Sequence, residues 1–289
     1  MSGTGGRLRE LIARDGGLLL PGAPNALTAR LLEDLGFEAA YVTGAGVTNM
    51  FLGLPDLGFV SLTDMARQVS AIAEVVEIPL VVDADTGYGN AVNVFHAVRV
   101  LERAGAAGIQ LEDQVAPKRC GHFDDQRVIE TAEMVGKIKA ATDSRRDDAT
   151  VVVARTDARA GHGLAAALER AAAYSAAGAD VLFIEGLLDR DELVAAGAAV
   201  PETPKLANIV SGGKTPMLPR QELHEIGYAI VLYANAALQA AVRGTREVMS
   251  ALRTDGDLSG VTDRLATFTE RQRLVRKEQF DKIDSTYAG

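Results

Sequence analysis

The chain has 289 residues, of which 47% are hydrophobic and 24% charged, and a net charge of −9. That acidity disfavours nucleic acid and anionic membranes as partners, no apolar run is long enough to cross a bilayer, and the N-terminus carries no apolar secretory core. A single cysteine, Cys120, rules out an intramolecular disulfide and points to a reducing cytoplasm.

Short apolar, β-branched runs recur along the chain, each followed by a turn and a helical stretch. They fall at 17–23, 39–45, 78–87, 108–114, 150–158, 180–186, 205–213 and 228–236. Such near-continuous apolar strands suit a parallel sheet buried on both faces. The helix after the first strand has Asn25 as N-cap and stops at Gly36. Ser61 with Asp64 three residues on reads as a capping box. The helical stretches "NVFHAVRVLERAGAAG" and "LAAALERAAAYSAAGAD" both end on Ala-Gly before the next strand, and "TDSRRDDAT" (142–150) reads as a surface loop. Eight alternations of strand and helix predict a (β/α)8 TIM-type barrel, one domain over 1–289, with a doubly wound open sheet as the alternative. Beyond the eighth strand the sequence predicts a long helix over 235–253, a turn at "TDGDLSG" and a charged helix over 259–284. That is more helix than a barrel needs, and the surplus could pack on a neighbouring subunit.

Active sites of such barrels lie at the C-terminal ends of the strands. Those ends carry Asp83 and Asp85, Glu112 and Asp113, Arg155 and Asp157, Glu185, and Asn208. Six carboxylates on one rim repel one another unless a cation neutralises them. An all-oxygen donor set suits Mg2+ or Mn2+. Asp85 is the foremost candidate ligand, because the glycines of "DADTGYG" allow close approach. The bland alternative is that several of these acids cap helices or pair with Arg155 and Arg159.

Cys120 lies in "VAPKRCGHF", a rim loop directly after the fourth strand. Basic neighbours would raise its thiolate fraction. Its own context leaves two readings open, a packed structural thiol and a proton donor or acceptor on a mobile loop.

The segments "LGLPDLG", "DADTGYG", "EDQVAPKRCGHF", "ARTDAR" and "NIVSGGKTP" occur in this order. Together they resemble the isocitrate lyase/phosphoenolpyruvate mutase superfamily over about residues 18–280, and the Lys-Arg-Cys-Gly-His run resembles its lyase branch. The resemblance implies a Mg2+-dependent carbon–carbon lyase. It would cleave a 2-hydroxy dicarboxylate or tricarboxylate, of the 2,3-dimethylmalate or 2-methylisocitrate type, to a 2-oxo acid and a carboxylate. It further implies a homotetramer with a barrel helix swapped between subunits. Asp85 would hold the metal directly, with Asp83 and Glu112 acting through water. Thr43, Gly44 and Ala45 would hold the oxo-acid carboxylate, and Arg155 a substrate oxygen. Glu185, Asn208, Ser211 and Gly212 would hold the other half of the substrate, with Asp56 and Gly121 nearby. Cys120 would be the general acid, tuned by Lys118 and His122, and Tyr41 a candidate base. Ala234 stands where the lyases of the family carry proline and oxaloacetate hydrolases carry serine, so neither side chain is available here. A phosphonomutase and an oxaloacetate hydrolase are the alternative activities.

Overall fold

The computed structural model describes residues 3–118 and 127–288. All eight expected strands form: β1 (Leu18–Pro21), β2 (Ala40–Val42), β3 (Leu80–Asp83), β4 (Ala106–Glu112), β5 (Val151–Thr156), β6 (Val181–Ile184), β7 (Lys205–Asn208) and β8 (Tyr228–Tyr233). They pair in parallel in the order β1-β8-β7-β6-β5-β4-β3-β2. The remaining seam between β1 and β2 is bridged by Gly22 opposite Tyr41, and the Ala23 N–H donates to the Tyr41 carbonyl at 2.7 Å. The sheet therefore curls into a barrel, and the open-sheet alternative is excluded. A side chain at Gly22 would meet the Ala234 carbonyl oxygen at 1.8 Å, so glycine is required where the end of β1 passes the residue after β8.

Side chains alternate across each strand, which gives two apolar layers. Leu20, Val81, Val153, Phe183, Leu206 and Ile230 fill the barrel interior. Val82, Ile109, Val152, Leu182 and Val231 face outward against the helices. The helix Thr4–Ala13, absent from the sequence reading, drives Leu8, Leu11 and Ile12 into the inner layer. Near-invariant apolar character on both faces of the strands is what this double burial demands.

The expected caps are present: the Asn25 side chain accepts from the Thr28 N–H, and Ser61 and Asp64 form the capping box. The expected 142–150 loop is shorter, because the preceding helix runs to Ser144. After β8 comes the long helix Ala236–Asp255. The single tail helix expected over 259–284 is instead a tight turn, Ser259–Arg264, and two helices, Phe268–Leu274 and Lys277–Tyr287. They are separated at Arg276, whose φ of 54° lies in the left-handed region that no helix interior adopts. Among the described residues, no helix is long and apolar enough to cross a membrane.

Candidate active site

The pocket sits where strand-end alternation brings polar residues inward. Its lining includes Tyr41, Thr43, Ala45, Asp56, Asp83, Glu112, Lys118, Arg155, Phe183, Glu185, Asn208, Ala234 and Asn235. Gln110 and Glu112 share the inner face of β4, whereas Ile109 and Leu111 face the outer core.

Asp113, one residue past Glu112, therefore points the other way. It accepts from the Thr156 hydroxyl at 2.7 Å, the Tyr174 hydroxyl at 2.7 Å, Arg170 at 3.1 Å and the Asp157 N–H at 2.9 Å. This corrects the expectation of six converging carboxylates. Asp113 pins β5 and the helix Ala158–Ala176 to β4, and five acids remain on the rim.

A hydrogen-bonded chain joins three of the inner residues. The Tyr41 hydroxyl donates to Gln110 Oε1 at 2.5 Å, and Gln110 Nε2 donates to Asp83 Oδ1 at 3.3 Å. Asp83 also accepts from the Gly44 N–H at 3.2 Å and the Asp85 N–H at 3.1 Å. The Gly44 amide is thus committed to Asp83 and is not free for a substrate carboxylate. Burial, with the charge of Asp83, pushes the Tyr41 phenol well above its ordinary range. Tyr41 directs its proton at Gln110 here, and its role as the base that takes the substrate's hydroxyl proton stays an expectation.

Asp85 adopts a left-handed backbone (φ 49°), as does Tyr88 (φ 61°). Such strain persists at non-glycine residues only where the surroundings hold it. Here the Glu112 N–H donates to the Asp85 carbonyl at 2.9 Å, and the buried Lys137 donates to the Thr86 carbonyl at 3.1 Å. The carboxylate is held on one side by Lys118, whose ammonium lies 2.8 Å from Asp85 Oδ1 and 2.7 Å from Asp56. Burial would lower the Lys118 pKa, but Asp85, Glu112, Asp83 and Asp56 outweigh it and raise it well above normal. Lys118 is therefore a fixed cation. Burial, partly offset by Lys118, pushes the Asp85 carboxyl up to about 6.

Arg155 forms the opposite wall. Its guanidinium makes a bidentate pair with Asp157 at 2.9 and 2.7 Å. It also lies 3.5 Å from Glu112 and 3.6 Å from Glu185, over the Phe183 ring. Burial, opposed by Arg155, raises the Glu112 carboxyl well above the usual range and brings Asp157 to about 6. Asn208 donates to Glu185 at 3.1 Å. Ser211 and Gly212 are exposed on the turn after β7 and do not line the pocket. Cys120, Gly121 and His122 lie outside the described residues. Sequence reasoning missed Gln110, Lys137 and Phe183. A polar residue two positions before Glu112 in a buried strand was the available signal for Gln110.

Among the described residues, Glu112 Oε1 is buried without a hydrogen-bond partner, and Asp85 Oδ1 has only the ion pair to Lys118, outside hydrogen-bond geometry. Among the described residues, Asp56, Asp83, Asp85, Glu112, Asp157 and Glu185 outnumber Lys118 and Arg155 by six to two. That acid excess, with these two oxygens free of hydrogen bonds, suits a hard cation. Among the described residues, no three carboxylate, histidine or cysteine side chains enclose an ion by themselves. A cation here would keep water or substrate oxygens in its shell, as Mg2+ commonly does.

The phosphoenolpyruvate phosphomutase family model matches residues 8–253. The 2,3-dimethylmalate lyase of Eubacterium barkeri is 42% identical over 285 residues, covering 99% of this chain and 98% of its own. This chain belongs to the PEP mutase/isocitrate lyase superfamily. It is an enzyme of that superfamily, and its curated relatives are lyases. The 2-methylisocitrate lyase of Aeropyrum pernix is 42% identical over 278 residues, covering 96% of this chain and 89% of its own. A crystal structure of 2,3-dimethylmalate lyase, described as a superfamily member, superposes with a TM-score of 0.93 at 34% identity, covering 100% of this chain and 97% of its own. A superfamily-like fold with oxalate and Mg2+ bound, phosphonopyruvate hydrolase, superposes at 0.90 with 33% identity, covering 100% of both chains.

Proposed function

We propose that the protein cleaves the C2–C3 bond of a 2-hydroxy dicarboxylate or tricarboxylate, of the 2,3-dimethylmalate or 2-methylisocitrate type. The products are a 2-oxo acid and a carboxylate. The observation that carries this reading is the pocket's excess of buried acid beside one fixed arginine and one fixed lysine, in a chain that aligns end to end with lyases of this chemistry.

In this reading Asp85, with Asp83 and Glu112 acting through water, would hold Mg2+, for which Mn2+ could substitute. When bound, the metal offsets the negative charge that develops on the C2 oxygen. Arg155 binds a substrate oxygen from the opposite wall, and its pair with Asp157 fixes the guanidinium plane. Glu185 and Asn208 hold the far half of the substrate, and Thr43 and Ala45 line the near end. The hydroxyl proton passes to water in the pocket, the C2–C3 pair moves onto C3 beside its carboxylate, and C2 becomes the oxo carbon. The carbanionic C3 then takes a proton from Cys120, which Lys118 and His122 help to position. Lys118, tied to Asp56 and Asp85, links the strand-four loop to the metal-holding loop. Ala234 places a methyl where a hydroxyl could otherwise stabilise a hydrated ketone, which disfavours oxaloacetate hydrolysis. The active form is a homotetramer in the cytoplasm, where a lone cysteine stays reduced. Support for the assembly comes from the helix Ala236–Asp255, which buries only Val248.

A substrate panel tests the activity. 2,3-Dimethylmalate or 2-methylisocitrate should release a 2-oxo acid with Mg2+, and EDTA should abolish the release. Silence on these and other alkylmalates, together with phosphonate formation from phosphoenolpyruvate seen by 31P NMR, would establish the mutase instead.

A further inference from the structure

Gln110 is buried completely inside the barrel, has no charge to contribute, and yet joins the pocket wall to the acid rim. Its orientation follows from its neighbours. Asp83 already accepts from two backbone N–H groups and, as a carboxylate, can only accept. The Gln110 atom beside it, 3.3 Å away, is therefore the amide nitrogen, which donates. That leaves Gln110 Oε1 facing Tyr41, and an amide oxygen can only accept. The single phenolic proton of Tyr41 is thus directed at Gln110. What the Tyr41 oxygen can still offer toward the pocket it lines is a lone pair.

We propose that Gln110 is a specificity-determining positioning residue, which locks Tyr41 as a hydrogen-bond acceptor and so favours ligands with a hydroxyl at C2 over their 2-oxo counterparts. A 2-hydroxy acid brings the proton that the Tyr41 oxygen accepts. A 2-oxo acid brings a second acceptor, and two acceptors facing each other without a proton lose a hydrogen bond and repel. The inference rests on the lyase reading for its substrate class. It assigns to that class a discriminating element made of β2 and β4 residues, joined through Asp83 to the acid rim and distinct from the cysteine loop.

The test compares lactate (each enantiomer) with pyruvate, a hydroxy/oxo pair too short to be cleaved, as ligands in titration calorimetry with Mg2+ present. Tyr41→Phe removes the acceptor, so lactate should weaken about fivefold while pyruvate, relieved of the facing lone pair, binds no more weakly than to the wild type. Gln110→Met frees the phenolic proton to turn toward the pocket, so pyruvate should tighten about fivefold while lactate changes little. In Tyr41→Phe/Gln110→Met the Gln110 change should no longer alter the lactate-to-pyruvate ratio. Gln110→Leu replaces methionine if the latter does not fold, and circular dichroism checks each variant. A ratio that stays constant in Gln110→Met or Gln110→Leu overturns the inference while leaving the lyase reading intact. A wild type that does not prefer lactate to pyruvate also overturns the inference, whereas the lyase reading stands or falls on 2-oxo acid release from the substrate panel.

Discussion

Gly44 has no side chain, and a Cβ there would stand 2.8 Å from Asp83 Oδ2 and 3.2 Å from Asp85 Oδ1. The turn after β2 can approach both carboxylates only because that space is empty. Its amide then helps to neutralise Asp83, and Lys118 does the same for Asp85. The compensation is incomplete, as the pKa of Asp85 shows. Its folded-state value of about 6 lies above the ordinary 3.8, so between those values the folded protein binds more protons than the unfolded chain. Stability contributed at Asp85 is therefore lost as pH rises from about 4 through 6. A bound divalent cation removes that loss, and protons compete with it below pH 6. Thermal denaturation should show a larger rise in Tm from added MgCl2 at pH 7.5 than at pH 5. Equal increments at both values would mean that the cation does not engage Asp85.

Among the elements, strand alternation and one unexpected helix position the site. Glu112 faces the pocket and Asp113 the helix layer because adjacent strand residues point to opposite faces. Two neighbouring acids thereby acquire unrelated tasks, one at the rim and one tying Thr156, Arg170 and Tyr174 together. The helix Thr4–Ala13 has only modest apolar content, yet Leu8 is fully buried in the inner core layer. In the folded barrel Gly108 makes room for that leucine, because a Cβ there would stand 3.0 Å from its side chain. Leu8→Ala should lower unfolding stability by about 2–5 kcal/mol, the usual range for a buried leucine truncation. Urea denaturation reads this directly. The rim residues belong to the strand ends, so KM for the substrate should stay within about twofold of wild type.

At the scale of the whole molecule, the helices after β8 are poorly accounted for by one chain. Phe268–Leu274 and Lys277–Tyr287 bury no residue, while Phe268, Phe280, Val242 and Met249 are exposed. Isolated exposed apolar residues are ordinary, but this many on consecutive elements support the proposed assembly. The proposed homotetramer predicts a mass near four chains in light scattering after gel filtration. A single-chain mass at micromolar concentration would remove the assembly from the proposal and leave the barrel site as described.

The amino-acid sequence by itself determined the eight strands, their parallel arrangement and most rim residues. Continuous apolar runs ending in Asp, Glu, Arg and Asn can be buried on both faces in few other ways. It also specified the local caps, because Asn25, Ser61 and Asp64 act within one helical turn. Tertiary structure alone decided which acids look inward, since β4 could have entered the barrel in either of two side-chain phases. It likewise decided that Tyr41, Gln110 and Asp83 form a chain, since these residues come from three strands and lie up to 69 positions apart. The break at Arg276 and the barrel-filling role of Leu8 were equally hidden. Leu8 packs against β4 and Arg276 pairs with Glu33, contacts between distant segments that no periodicity within a segment records.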